Sequence, residues 1–343
     1  MVKTDPGRFF EDYAVGQVIA HAVPRTLSGG ERALYHALYP ARTAIHASDE
    51  FARGCGLPAA PLDDLIVFHT VFGKTVPDIS LNAVANLGYA EGRFLRPVHA
   101  GDTLRAESTV IGLRQTSSGK SGVVWVRTRG LNQRGEAVLE YVRWVMLRKR
   151  DPSSPAPGTV LPDLAGAVPA DTLPIPAGLD FSRYDFTLAG EPYRLGDYAV
   201  GETIDHVDGA TVEEAEHMLA TRLWQNTARV HFDATARADG KRLIYGGHVI
   251  SLVRALSFNG LANAQLVVGL NGGTHANPCF AGDTVRAWSE VLDKAETDAP
   301  GVGAIRLRLV ATKGGAPFRR LAEDGKYLPE VLLDLDYWAL MPV

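Results

Sequence analysis

Residues 212–224, VEEAEHMLATRLW, open with acids and then place Met218, Leu219 and Leu223 at helical spacing, which predicts an amphipathic helix. GERALYHALY (30–39) predicts a helix at a matching place nearer the start. Each is followed by a short stretch ending in histidine, YPARTAIH (39–46) and WQNTARVH (224–231). A more apolar segment comes next, LDDLIVFHTVF (62–72) and GGHVISLVRALSF (246–258). Beyond these the period drops to two. GVVWVRTRG (122–130) and AVLEYVRWVML (137–147) alternate as strands around the turn LNQRGE, and AIRLRLVAT (304–312) and VLLDLDYWALM (331–341) alternate similarly. A helix followed by antiparallel strands, twice over, predicts an α+β fold in which a curved sheet wraps a central helix.

The two runs of elements are copies. DYAVGQVIAH (12–21) matches DYAVGETIDH (197–206) at seven of ten positions, offset by 185. RPVHAGDTLRAESTV (96–110) matches NPCFAGDTVRAWSEV (277–291) at nine of fifteen, offset by 181. A repeated unit this long is a duplicated domain and not an array of short repeats. The offset of 185 makes His46 and His231 equivalent. Between the copies, residues 150–178 carry seven prolines and read as extended, semi-rigid chain. The expected division is 1–149, a linker at 150–186, and 187–343.

Composition narrows the function classes. A hydrophobic content of 46% with 22% charged residues is that of a globular protein. A net charge of −4 supplies no basic excess for nucleic acid. No run reaches the ~18 apolar residues a spanning helix needs, so no membrane partner is expected. The N-terminal MVKTDPGRFF lacks the apolar stretch of a secretory signal. With Cys55 and Cys279 far apart and read as buried thiols, a cytoplasmic protein is expected. No Cys/His spacing suggests a metal, and no glycine loop suggests a phosphate cradle.

The segments PVHAGDTL (97–104) and PCFAGDTV (278–285), with the histidine stretches before each apolar helix, resemble the MaoC-like, hydratase 2 type of dehydratase. The resemblance covers the whole chain apart from the linker. It implies a double hotdog, two tandem units of helix wrapped by antiparallel sheet. It implies reversible hydration of an α,β-unsaturated acyl-CoA, with CoA as part of the substrate and no separate cofactor. TVPDISLNAVANLGYAEGRF (75–94) and RLIYGGHVISLVRALSFNG (242–260) point within that family to mesaconyl-CoA as substrate and β-methylmalyl-CoA as product, with an enoyl-CoA or itaconyl-CoA as the alternatives. The family motif, Asp-x-Asn-Pro-x-His, is altered in both copies. Its aspartate position is Ala41 in the first and Asn226 in the second.

Hydrating a conjugated thioester needs a base for water, an acid for the α-carbon and donors for the charge on the thioester oxygen. Histidine suits the proton transfers, and backbone N–H groups at a helix N-terminus suit the oxygen. The second copy is expected to be active. There His231 serves as acid/base, Asn226 orients water, Gly246 lets the acyl chain approach, and the N–H groups of Gly247 and His248 form the oxyanion hole. The first copy has Ala41 and no glycine step, so His46 is expected to be a relic that packs or binds the domain interface. Arg229 is the expected partner for a substrate carboxylate, with Arg222 and Arg254 in reserve. Asp233 could replace the missing acid or merely cap a turn. His217, four residues after Glu213, is expected to form a surface pair, and LNGGTH (270–275) to be a strand bend.

Two other classes fit the fold. A hotdog thioesterase would use a carboxylate near the central helix, and Asp63 and Asp64 offer one. A non-catalytic acyl-binding module would explain both altered aspartate positions, although His231 and its glycine step argue for chemistry. The duplication supplies a pseudo-dimer, so a further homodimer or higher homo-oligomer is compatible with the sequence without being required.

Overall fold

The computed structural model describes residues 3–315 and 318–343. Its strands are β1 (Val18–Thr26), β2 (Ala83–Phe94), β3 (Thr103–Gln115), β4 (Ser121–Leu131), β5 (Ala137–Arg148), β6 (Thr203–Thr211), β7 (Leu266–His275), β8 (Thr284–Glu296), β9 (Val302–Lys313) and β10 (Val331–Pro342). They form one antiparallel sheet in the order β1-β3-β4-β5-β2-β7-β10-β9-β8-β6. The second five strands repeat the first five in mirror order. The halves join where β2 pairs with β7, Tyr89 opposite Gly273.

The central helices, Asp64–Thr75 and Gly246–Leu256, are buried almost end to end. That is why neither segment shows a clean polar face in sequence. One continuous apolar core includes Phe68 and Val71 from the first helix and Val249 and Val253 from the second. The outer helices, Gly29–Leu38 and Glu214–Leu223, lie where expected, but the buried face of the second differs. Leu219 is exposed, while His217, Ala220, Thr221 and Leu223 turn inward.

The repeated Gly-Asp-Thr builds the same turn twice. Asp102 and Asp283 each accept a backbone N–H three residues back, from His99 and Phe280, at 2.9 and 2.8 Å. Gly101 and Gly282 take φ of 102° and 91°, where side chains are disfavoured. The proline-rich segment touches both halves. Val160 pairs with Leu113, and Val168 donates to Asn271 Oδ1 at 2.8 Å. Leu173, Leu179 and Phe181 are buried. No helix among the described residues is long and apolar enough to cross a membrane.

Candidate active site

Each histidine stretch folds into a single helical turn, Ala44–Ala47 and Arg229–Phe232. In each, the ring Nδ1 meets a carbonyl just before the central helix: Pro61 at 3.3 Å for His46, Leu243 at 2.7 Å for His231. The following residue, Leu62 or Ile244, donates its N–H to Val98 or Cys279. These matched bonds align Pro61 with Leu243, and therefore Asp64 with Gly246, the first residue of each central helix.

The two helix starts are chemically opposite. In the first half Asp63 caps the helix by accepting the Leu65 N–H at 2.9 Å. Asp64 places its carboxylate 3.4 Å from His46 Nε2 and accepts the Val267 N–H at 2.8 Å. Burial is the largest single influence on His46 and depresses its pKa, but the Asp64 charge and hydrogen bond, the Asp63 charge and the Pro61 carbonyl together exceed it, and the net shift is upward. In the second half Tyr245 is the N-cap residue and supplies no side-chain cap. The N–H groups of Gly246 and Gly247 find no acceptor among the described residues. They are orphan donors of a helix N-terminus.

A cavity of about 250 Å³ opens beside this bare helix start. The second half contributes His231, Asn226, Gly246 and His275; the first contributes Phe72, Tyr89, Asn86 and Arg143. A carbonyl can only accept, so the bond to Leu243 puts the proton of neutral His231 on Nδ1 and leaves Nε2 as the basic nitrogen. Burial lowers the His231 pKa, and the Leu243 carbonyl offsets only part of that. The imidazole is therefore neutral near pH 7, the state a general base requires.

The other sequence candidates divide. Asn226 is buried on the cavity wall, its Oδ1 accepting the Ala228 N–H at 3.3 Å. Gly246 also lines the cavity, and its lack of a Cβ has a local reason: one would fall 2.3 Å from the His275 ring. At Gly247 a Cβ would fall 2.3 Å from the Tyr245 ring. The oxyanion expectation shifts by one residue. His248 N–H already donates to the Tyr245 carbonyl at 2.9 Å, so the unused donors are Gly246 and Gly247. The His248 ring is buried against Tyr39, whose hydroxyl meets Nδ1 at 3.0 Å.

Arg229, the expected substrate contact, does not line the cavity. It is exposed and donates across the halves to Asn82 Oδ1 at 2.8 Å and Pro6 O at 3.3 Å. Of the two readings of Asp233 the structure shows the cap: it is exposed, lies outside the cavity lining and accepts from Thr235, whose hydroxyl and N–H hold the carboxyl below its usual range. Arg222 is exposed, and Arg254 donates to Ser257 and Ala264. His217 is not a surface residue. It is fully buried, and its Nε2 accepts the Tyr245 N–H at 2.9 Å, fixing the chain that enters the central helix.

Two cavity residues escaped the sequence reading. His275, at the end of a strand whose register against β10 slips at Asn271, beside its glycine pair, places Nε2 3.2 Å from the Tyr89 hydroxyl. Burial, with His231 nearby, pushes its pKa down to about 4. The repeat held a signal for it. Leu95 donates to Val138 as Ala276 donates to Leu332, which aligns His275 with Phe94, so a polar ring replaces an apolar one only in the second copy. The other is Arg143, in the middle of β5.

A family profile described as mesaconyl-CoA hydratase matches residues 2–316. The chain is 78% identical over 342 residues to a mesaconyl-CoA hydratase of Cereibacter sphaeroides, spanning 99% of this chain and 100% of that one. It is 56% identical to a β-methylmalyl-CoA dehydratase of Chloroflexus aurantiacus, spanning 99% and 98%. A crystal structure from Chloroflexus aurantiacus described as a MaoC domain protein dehydratase superposes with a TM-score of 0.97 at 56% identity, covering 100% and 99%. A Mycobacterium tuberculosis protein described as a double hotdog superposes at 0.77 with 26% identity, covering 98% of each chain.

Proposed function

The chain belongs to the mesaconyl-CoA hydratase family, and on that premise we propose that it adds water reversibly to mesaconyl-CoA, giving β-methylmalyl-CoA, in the cavity of the second half. The substrate carries its methyl group on the α-carbon and a carboxylate on the β-carbon. Water attacks the β-carbon while His231 Nε2 takes one of its protons. The double-bond electrons move through the α-carbon to the thioester oxygen, which the N–H groups of Gly246 and Gly247 receive. The resulting imidazolium returns the proton to the α-carbon as the enolate collapses. Atoms balance with one acid/base group, and dehydration is the same path reversed. Asn226 orients the water by hydrogen bonding without accepting its proton. CoA arrives with the substrate, and the scheme uses no other cofactor.

The observation that carries this reading is a neutral histidine of fixed tautomer sharing a cavity with a helix start whose first two N–H groups have no acceptor. The thioesterase alternative is weakened because no Asp or Glu lines the cavity, Asp63 and Asp64 being engaged in the first half. The test is to incubate the protein with mesaconyl-CoA and follow conjugated-enone absorbance alongside free thiol. Loss of absorbance without thiol release is expected. Stoichiometric thiol release would make the protein a thioesterase.

A further inference from the structure

Arg143 is fully buried, yet forms no ion pair with any described residue. One Nη donates to Thr75 Oγ1 at 2.7 Å, both make long contacts of 3.4–3.5 Å to Ser80 Oγ, and Nε–H has no acceptor. Its guanidinium sits over the Phe72 ring at 4.2 Å. The titratable groups that face it are tyrosines, Tyr141, Tyr89, Tyr13 and Tyr245. Asn86, on the same cavity, also has both side-chain amide atoms buried without a partner. A buried cation without a counter-charge costs several kcal/mol in principle, and arginine does not escape by losing its proton.

The cation is confined to one copy. The bonds of Leu95 to Val138 and of Ala276 to Leu332 align β5 with β10 and place Tyr337 at the position of Arg143. The charge therefore exists only beside the cavity that holds His231 and His275.

We propose that Arg143 is the subsite for the substrate's free carboxylate, which supplies the counter-ion the protein omits. This rests on the hydratase reading and adds the residue that selects a dicarboxylic acyl group over a plain enoyl chain. A guanidinium is suited to this by its planar set of donors. With the carboxylate on the β-carbon, binding it also sets the position of the carbon that water attacks.

The experiment compares kcat/KM for mesaconyl-CoA and crotonyl-CoA, which lacks the carboxylate, in wild type, Arg143→Gln and Ser80→Asp. The second variant keeps the arginine and gives it an internal carboxylate, so it also serves if Arg143→Gln fails to fold. Wild type should prefer mesaconyl-CoA, and that preference should fall by on the order of 10²-fold in both variants, the scale of a charged hydrogen bond. Equal losses on both substrates, or an unchanged ratio in a folded variant, would overturn the proposal and leave Arg143 as a general electrostatic or packing group. A wild type that hydrates both substrates equally well would also overturn it, with the hydratase reading intact. A wild type that hydrates neither would sink the hydratase reading itself.

Discussion

The Asp64 carboxylate lies 3.4 Å from His46 Nε2, at the helix position that Gly246 holds beside His231 in the other half. The same scaffold thus carries two opposite helix starts. One is closed by an internal anion bound to its own histidine and to the Val267 N–H. The other leaves Gly246 and its histidine on the wall of a cavity. A carboxylate at the first helical position stabilises the N-terminus.

Asp64→Ala should therefore affect stability and not turnover. Breaking a buried pair costs about 3–5 kcal/mol, read by urea unfolding, while kcat on mesaconyl-CoA stays within a few-fold of wild type. The His46 contribution also has a definite pH dependence. Its folded pKa is raised, so the stabilisation is complete below the unfolded value of about 6.5 and fades as pH rises through the folded value. The gap between wild type and variant should narrow in alkali.

Gly246→Ala should cut kcat by roughly 10²–10³, the scale of losing an oxyanion donor. The new Cβ would meet the His275 ring at 2.3 Å, so ring and helix start cannot both keep their places. Steady-state kinetics checks this; a rise in KM with kcat unchanged would mean the position serves binding alone.

The pH profile of kcat/KM tests the protonation state of His231. Its pKa is depressed by burial, so the neutral base persists below the ordinary histidine value of about 6.5. Activity should be level near pH 7 and decline only below that value as the ring gains a proton. Because one group serves both steps, the same acidic limb should govern dehydration. A midpoint above 6.5 would assign the base to another residue.

Asn226→Ala should lower kcat by about 10-fold, the effect of one hydrogen bond to water, and cost about 1 kcal/mol of stability through the loss of the Ala228 contact. Parallel kinetic and thermal measurements separate the two. A stability loss with normal kcat would leave Asn226 as a loop-ordering amide.

Much of the architecture was legible because duplication and periodicity are local signals. The central helices and the strands about LNQRGE stand where pattern placed them. The failures are residues whose roles depend on what packs over them. His217 looked like a surface partner of Glu213, but the chain entering the central helix needed an acceptor for the Tyr245 N–H. Arg143 drew no reading within its alternating strand, and it is buried on the same face as Tyr141 and Val145. Arg229 stood close to His231 in sequence, yet its one-turn helix directs it to Asn82. Proximity along the chain misled there, whereas comparison of the two copies, His275 against Phe94 and Arg143 against Tyr337, marks the cavity.

The most direct test of the account sets the two equivalent histidines against each other. Hydration of mesaconyl-CoA is followed by loss of enone absorbance in His231→Gln and His46→Gln, with circular dichroism confirming the fold. The account predicts a loss of ~10²–10⁴ in kcat for His231→Gln and near wild-type turnover for His46→Gln. Comparable losses at both positions, or a fully active His231→Gln, would contradict it.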